Sequence, residues 1–233
     1  MSAEATKLMG HSQHESGEWL RGIGIRITGR LKLGLYHRSI RHGLRRDLEL
    51  DIEKPSAKIP IEVRPMVQGD LEPLFSTEGL DYAETLELVR RRAFVERFPK
   101  GCYVAIDQRD GKPCYMQWLI GCTDNQFIRS MGGFPQLRDD EALLENAYTP
   151  AKYRGLGIMS AAMALIAERA DDLGANYVLT FVDQKNQASL KGCARAGFHP
   201  YLLHHRVQIG YGALNFDTFE GLVQTDPKLG LHF

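Results

Sequence analysis

No stretch of the chain approaches the roughly 20 apolar residues needed to cross a bilayer, and no Cys-x-x-Cys pair occurs in it. Its four cysteines, Cys102, Cys114, Cys122 and Cys193, form no dense framework. Buried free thiols in a reducing, cytoplasmic setting are therefore expected ahead of disulfides or zinc. Net charge is missing as well, with 29 basic and 29 acidic residues. The opening Met-Ser-Ala-Glu-Ala-Thr-Lys is polar and contains an acid, which does not suit a secretory signal. There is no internal repeat. What remains is the composition of a soluble globular protein: 233 residues, 43% hydrophobic and 25% charged, enough for one ordinary domain plus an extension.

Acid is lacking in one place above all. Between Trp19 and Arg46 there are eight Arg or Lys residues and no Asp or Glu, so the remainder of the chain is acidic on balance. Within this stretch Ile23, Ile25, Ile27, Leu31, Leu33 and Leu35 share one parity, opposite Arg26, Thr28, Arg30 and Lys32. That reads as a strand or hairpin with a cationic face. Tyr36, Ile40, Leu44 and Leu48 recur every four residues and read as a short basic helix. The plain interpretation is an extra element with a solvated charged face. The sharper one is a docking surface over residues 21–46 for an acidic partner such as a carrier protein. No aromatic interleaving supports nucleic-acid binding. Residues 1–18 are polar, and the His11/His14 spacing there reads as a flexible tail rather than a metal site.

Pro55-Ser-Ala-Lys-Ile-Pro60 reads as a linker, which divides the chain into an extension over 1–57 and a main domain over 58–233. In the main domain a short strand begins at Ile61, Asp70 caps a helix through Leu74, and a helix covers 81–97. Strands follow at 102–107 and 114–120 around the Asp110-Gly111 turn, then at 142–149 and 177–182. A helix from Ile158 to Leu173 lies between the last two, and another runs from Gln187 to Ala196 ahead of a strand at 202–208. Strands and helices are mixed, which places the fold in the α+β or α/β range.

The most informative stretch is Pro150-Ala-Lys-Tyr-Arg-Gly-Leu-Gly-Ile-Met-Ser160. A strand, a glycine-containing turn and a helix start make an anion site. The first helical amides lack intrahelical acceptors and the dipole adds positive charge. Gly155 and Gly157 let the backbone approach closely, and Arg154 adds a forked donor. Some thirty residues later come Asn186-Gln-Ala-Ser189-Leu and Ala196-Gly197-Phe198.

These paired motifs resemble the GNAT superfamily of CoA-dependent N-acetyltransferases, over roughly residues 58–212. The resemblance implies a mixed, mostly antiparallel sheet with flanking helices, whose fourth and fifth strands splay apart to hold the acyl thioester. It implies acetyl-CoA as co-substrate and no metal. Arg154 and Gly157 match the first and fourth positions of the family's pyrophosphate motif, but Met159 takes a position usually Gly or Ala. A register shifted by two would use Lys152, Gly155 and Gly157 instead. In either register, Gly155, Leu156, Gly157, Ile158 and Met159 present the phosphate-binding amides. The resemblance also puts Asn186 and Ser189 on the pantetheine arm, with a helix N-cap as their plain alternative role. Amides near Ala147, Tyr148 and Thr149 would polarise the thioester carbonyl.

The expected reaction is direct attack of a primary amine on acetyl-CoA or a short acyl-CoA, with a carboxylate as general base. Glu145 is the candidate, a charge in an otherwise mostly uncharged strand, sharing a face with Leu143, Ala147 and Thr149. Asp183 is its rival; Asp139, Asp140 and Glu141 read as loop acids. Where many relatives carry a tyrosine acid this chain has Cys193, so the acid is open between Cys193, Tyr148, Tyr201 and none. His204 and His205 face opposite ways in a strand, so at most one lines a cleft. Two other functions stay open. One is longer-chain acyl transfer from an acyl carrier protein; the other is a non-catalytic CoA-binding module. The acceptor is a small-molecule or peptide amine, and homodimerisation is left open.

Overall fold

Alternating apolar residues organise the chain around a single eight-stranded sheet. The computed structural model describes residues 34–222. Its strands are β1 (Tyr36–Asp47), β2 (Ile61–Pro65), β3 (Cys102–Asp107), β4 (Lys112–Gly121), β5 (Glu141–Tyr148), β6 (Tyr177–Asp183), β7 (His199–Ile209) and β8 (Leu214–Gly221). The helices are α1 (Leu71–Phe75), α2 (Tyr82–Arg97), α3 (Asn125–Met131), α4 (Ile158–Glu168) and α5 (Gln187–Arg195). The spatial order is β2-β3-β4-β5-β6-β1-β7-β8. β1 with β6, β2 with β3, β3 with β4 and β4 with β5 pair antiparallel, whereas β5 and β6 are parallel. The fold is thus the expected α+β, mostly antiparallel sheet with flanking helices. No helix among the described residues is long and apolar enough to cross a membrane.

Two clusters of buried side chains cover the two faces of the sheet. One packs α4 and α5 through Ile158, Ala162, Met163, Ile166, Leu190 and Cys193. The other packs α1, α2 and α3 through Leu74, Leu88, Val95, Ile128, Trp118 and Phe181. The α2 stripe toward the sheet is Leu88, Arg91 and Val95, at helical spacing, whereas Val89 is exposed.

The expected basic helix over 36–48 is instead β1. A spacing of four is a multiple of the strand repeat of two, so Tyr36, Ile40 and Leu44 share a strand face just as they would share a helix face. β1 pairs with β6 from Arg41↔Asp183 to Asp47↔Tyr177. Two compact units can be distinguished among the described residues. The larger comprises residues 40–205 and 218–222, the smaller 34–39 and 206–217. In the smaller unit Arg206 forks onto Asp217 at 2.8 and 3.0 Å, Gln208 donates to Asn215, and the amides of Gly210 and Tyr211 donate to the carbonyls of Leu35 and Gly34. The tail over 1–18 and the alternating run from 23 to 33 lie outside the described residues.

Arg38 of β1 is exposed, but Arg41, Arg45 and Arg46 are packed rather than solvated. Arg46 is 4% exposed and donates to Ala164 O at 2.9 Å and to Glu168, so a cation meets the C-terminal half of α4. Arg45 lies over the rings of Tyr177 and Tyr201.

Contrary to expectation, Asp70 does not cap α1 through its side chain. It accepts both guanidinium nitrogens of Arg64, at 2.7 and 2.8 Å, and the Val67 amide. Burial pushes this carboxyl up, but the Arg64 fork and the Val67 amide together hold it below its ordinary value. Its stabilisation is therefore present above the unfolded value near 3.9 and is lost as pH falls through the lower folded value. Asp70→Asn is expected to cost about 1–2 kcal/mol at neutral pH, with the gap to wild type closing in acid. Urea titrations at several pH values measure this; a gap that persists in acid would contradict the assignment.

Candidate active site

β5 begins hydrogen-bonded to β6 and then leaves it. The parallel register runs only from Glu141↔Tyr177 to Leu143↔Leu179, although β5 continues to Tyr148 and β6 to Asp183. The divergence has a local cause. On the β4 side Glu145 pairs with Trp118 and Tyr148 with Met116, so Asn146 and Ala147 together face Gln117. Such a bulge bends its strand. Asn146 has φ 60°, a conformation Asn tolerates better than most residues. Arg91 on α2 braces the bulge, donating from Nη1 to both the carbonyl and the side-chain oxygen of Asn146.

The gap so opened is a cavity of about 270 Å³ whose walls include Glu145, Asn146, Ala147, Met159, Asn186 and Ser189. Glu145 points a carboxylate oxygen into a buried position; Oε2 has no hydrogen-bond partner. Its nearest cation is Arg41 Nη2, at 3.7 Å. Burial raises the Glu145 carboxyl above its ordinary value, and Arg41, the Asn146 amide and Arg91 offset only part of that. A half-buried carboxylate, with a raised pKa and an Oε2 lone pair left open, is suited to accept a proton.

The rivals are placed differently. Asp183 lines the far lip of the cavity and accepts the Lys185 amide at 2.8 Å. Asp140 and Glu141 bond Arg138 at the opposite end of β5. Burial pushes the Cys193 thiol up to about 12, and its sulfur lies 3.8 Å from Met163 Sδ. Burial likewise pushes Tyr201 up to about 12, and Tyr201 is not on the cavity wall. Tyr148 is buried with its ring beneath Arg91, and the Thr149 carbonyl accepts Arg154 Nε; neither lines the cavity. His204 is fully buried and stacked on Phe219, while His205 faces Glu220 at 3.6 Å.

The phosphate turn has the conformation its glycines permit. Gly155 and Gly157 have φ 78° and 74°. A Cβ on Gly155 would meet nothing, whereas one on Gly157 would come within 3.2 Å of Ser56 O. The expected linker crosses here, and Lys58 N donates to Leu156 O. Ile158 is buried. Ala161 N→Gly157 O closes the first turn of α4, and no side chain caps it. The amides of Ile158, Met159 and Ser160 thus precede the first intrahelical acceptor. This uncapped, glycine-flanked helix start fits the diphosphate of a CoA thioester. Arg154 is turned elsewhere: Nη1 pairs with Glu84 at 2.7 Å. Asn186 caps α5, its Oδ1 accepting the Ser189 amide at 3.1 Å.

Met159 is accommodated across the helix pair. A Cβ on Gly192 would stand 3.2 Å from Met159 Sδ. The bulk gained at one position is offset by its absence at the other. Gly192, Asn146, Arg91 and Arg41 were not singled out from sequence. Arg91 left a trace, a cation on the apolar stripe of α2.

Residues 61–199 match the model of the acetyltransferase (GNAT) domain. No curated protein matches. Among solved structures, the chain is similar to a GNAT-family acetyltransferase from Colwellia psychrerythraea at 15% identity and TM-score 0.48, covering 80% of this chain and 57% of that one. It is similar to a GCN5-related N-acetyltransferase from Sphaerobacter thermophilus at 16% identity and TM-score 0.49, covering 75% and 54%. A GCN5-related glucosamine N-acetyltransferase region of a fungal multi-domain GH3 beta-N-acetylglucosaminidase aligns at 15% identity and TM-score 0.50, over 75% of this chain and 21% of that one. The chain spans little more than half the length of the first two.

Proposed function

The chain belongs to the GNAT acetyltransferase family, and from that premise we propose that it transfers an acetyl or other short acyl group from acyl-CoA to a primary amine by direct attack, with Glu145 as general base. The observation that carries this reading is the Glu145 Oε2 atom, buried and free of hydrogen bonds in the gap where β5 leaves β6.

Acetyl-CoA would supply an activated acyl thioester, held by the amides at the start of α4 with Asn186 and Ser189 along the cavity wall. The chain's own residues do the rest. Glu145 takes a proton from the incoming ammonium, whose pKa of about 10.4 otherwise keeps it unreactive at neutral pH. The freed nitrogen attacks the carbonyl carbon; the C–N bond forms, the C–S bond breaks, and the nitrogen's second proton leaves with sulfur. The bulge at Asn146 and Ala147 lies where amides can face the carbonyl oxygen. Cys193 stays a protonated thiol and a poor acid, so no dedicated side-chain acid is required by this route.

Acetyl-CoA at about a hundredfold over its Kd is expected to stabilise the protein by about 2.7 kcal/mol, seen as a raised melting midpoint. An acetyl mass gain is expected on at least one member of a panel comprising benzylamine, 1,4-diaminobutane, glucosamine, free amino acids and a lysine peptide. Neither effect appearing would end this reading.

A further inference from the structure

Arg41 comes from β1, outside the matched residues 61–199, and it is the cation nearest to Glu145. It stands in register with Asp183, at the end of β6 where the gap is widest. Three contacts fix its guanidinium. Nη2 donates to Phe181 O at 3.1 Å, and the group lies 4.9 Å from the Phe134 ring centroid and 5.5 Å from that of Phe181. From this seat it reaches across β6 to Glu145 Oε2 at 3.7 Å. That distance is short enough for attraction between two half-buried charges. It is too long for a hydrogen bond, so the lone pairs of Oε2 stay available.

We propose that Arg41 is a positioning residue for the general base: the N-terminal strand completes the active site by holding the Glu145 carboxylate in place and keeping it ionisable. The inference rests on the reading of Glu145 as base. The other groups around this carboxyl do not replace Arg41. Arg91, on α2, is already committed to Glu87 and Asn146. β4 presents the uncharged Trp118 and Gln117, α5 the thiol of Cys193, and β6 the like-charged Asp183 at the far lip. With Arg41 neutralised, burial acts on Glu145 against only the Asn146 amide and Arg91.

The full-length protein, carrying 13C-labelled glutamate side chains, is titrated from about pH 4 to about pH 9. The Glu145 carboxyl resonance is assigned by its loss in Glu145→Gln. In Arg41→Gln the midpoint is expected to rise by about one pH unit or more, and the acid limb of kcat/KM for the best amine of the panel to rise with it. Arg41→Met, whose apolar chain packs between the Phe134 and Phe181 rings, gives the same test if the glutamine variant folds poorly. Arg41→Lys keeps the charge and should leave the midpoint within a few tenths of a unit. Melting with acetyl-CoA checks that each variant is folded. An unmoved Glu145 midpoint in the neutral variants, whether or not KM for the amine changes, would overturn the inference. Because the midpoint is read without turnover, a protein that titrates as expected yet acetylates nothing would refute the proposed reaction and leave this inference standing.

Discussion

Replacing Glu145 by glutamine is expected to lower amine acetylation at neutral pH by roughly 10²–10³-fold while acetyl-CoA affinity is retained. The substitution preserves shape but removes the group that accepts the ammonium proton. The pH dependence identifies the loss. In the wild-type enzyme the base must be ionised, and burial holds its pKa above the ordinary carboxylate range. Activity therefore falls as pH drops through a midpoint above about 4.3. In the variant that limb disappears, and the residual rate follows deprotonation of the amine itself. Stability should move the other way. A carboxyl whose folded pKa is raised favours the protonated fold, so its ionisation costs stability that is fully felt above the folded pKa. At neutral pH the variant should therefore melt at the same or a higher temperature than wild type. Steady-state kinetics across pH with parallel melts would decide the matter; a glutamine variant with undiminished turnover and an intact acid limb would exclude Glu145.

Deleting residues 1–47 is expected to abolish cooperative folding. In the larger unit β1 lies between β6 and β7, and its pairing with β6 extends along the whole of that strand, from Tyr177 to Asp183. Leu44 is 1% exposed in the core, and Arg46 ties β1 to α4 through Ala164 and Glu168. Removal would leave two facing strands with unpaired amides and carbonyls. At about 0.5–1.5 kcal/mol for each lost hydrogen bond, plus the buried Leu44 at about 2–5 kcal/mol, the loss reaches the total of about 5–15 kcal/mol that stabilises an ordinary domain. Circular dichroism should show no cooperative melt for the truncated protein. A fragment lacking β1 that melted like the full chain would contradict the topology. It follows that such a deletion cannot serve as a test of carrier-protein docking, because it removes part of the sheet along with the basic segment.

From Ile61 onward most of the fold could be read directly from residue order. The strands at Cys102–Asp107 and Tyr177–Asp183 and the helix at Tyr82–Arg97 fall within a residue of expectation, since each has a clear period and a turn signal at its end. The misreadings have physical causes. Four-residue spacing fits both a helix and a strand, so β1 is ambiguous in period and is decided by pairing partners 130 to 142 residues away, Asp47↔Tyr177 to Arg41↔Asp183. α3 and β8 lack a clean apolar repeat. α4 ends at Glu168, and the run expected to continue it becomes a 3-10 turn over Asp171–Leu173. At the site, Glu145 was legible because a charge in a buried strand is costly. The bulge beside it was not, because one extra residue in a strand leaves no periodic trace. Arg154 was expected to grip phosphate from its place in a motif; its charge is instead engaged by Glu84, a partner no local pattern could supply.

The insertion of β1 beside β6 also orders events during synthesis. β1 leaves the ribosome ahead of its partner β6, whose paired residues follow 130 to 142 positions later, from Asp47↔Tyr177 to Arg41↔Asp183. At about 5–20 residues per second, the strand waits on the order of ten seconds before that partner exists. An unpaired strand exposed for so long is a template for pairing with other nascent chains. Arg38, Arg41, Arg45 and Arg46 give this strand repeated positive charge, with no acid nearby until Asp47. Like charges on two such strands repel, so these arginines, among them the Arg46 that ties β1 to α4, act first as gatekeepers against aggregation.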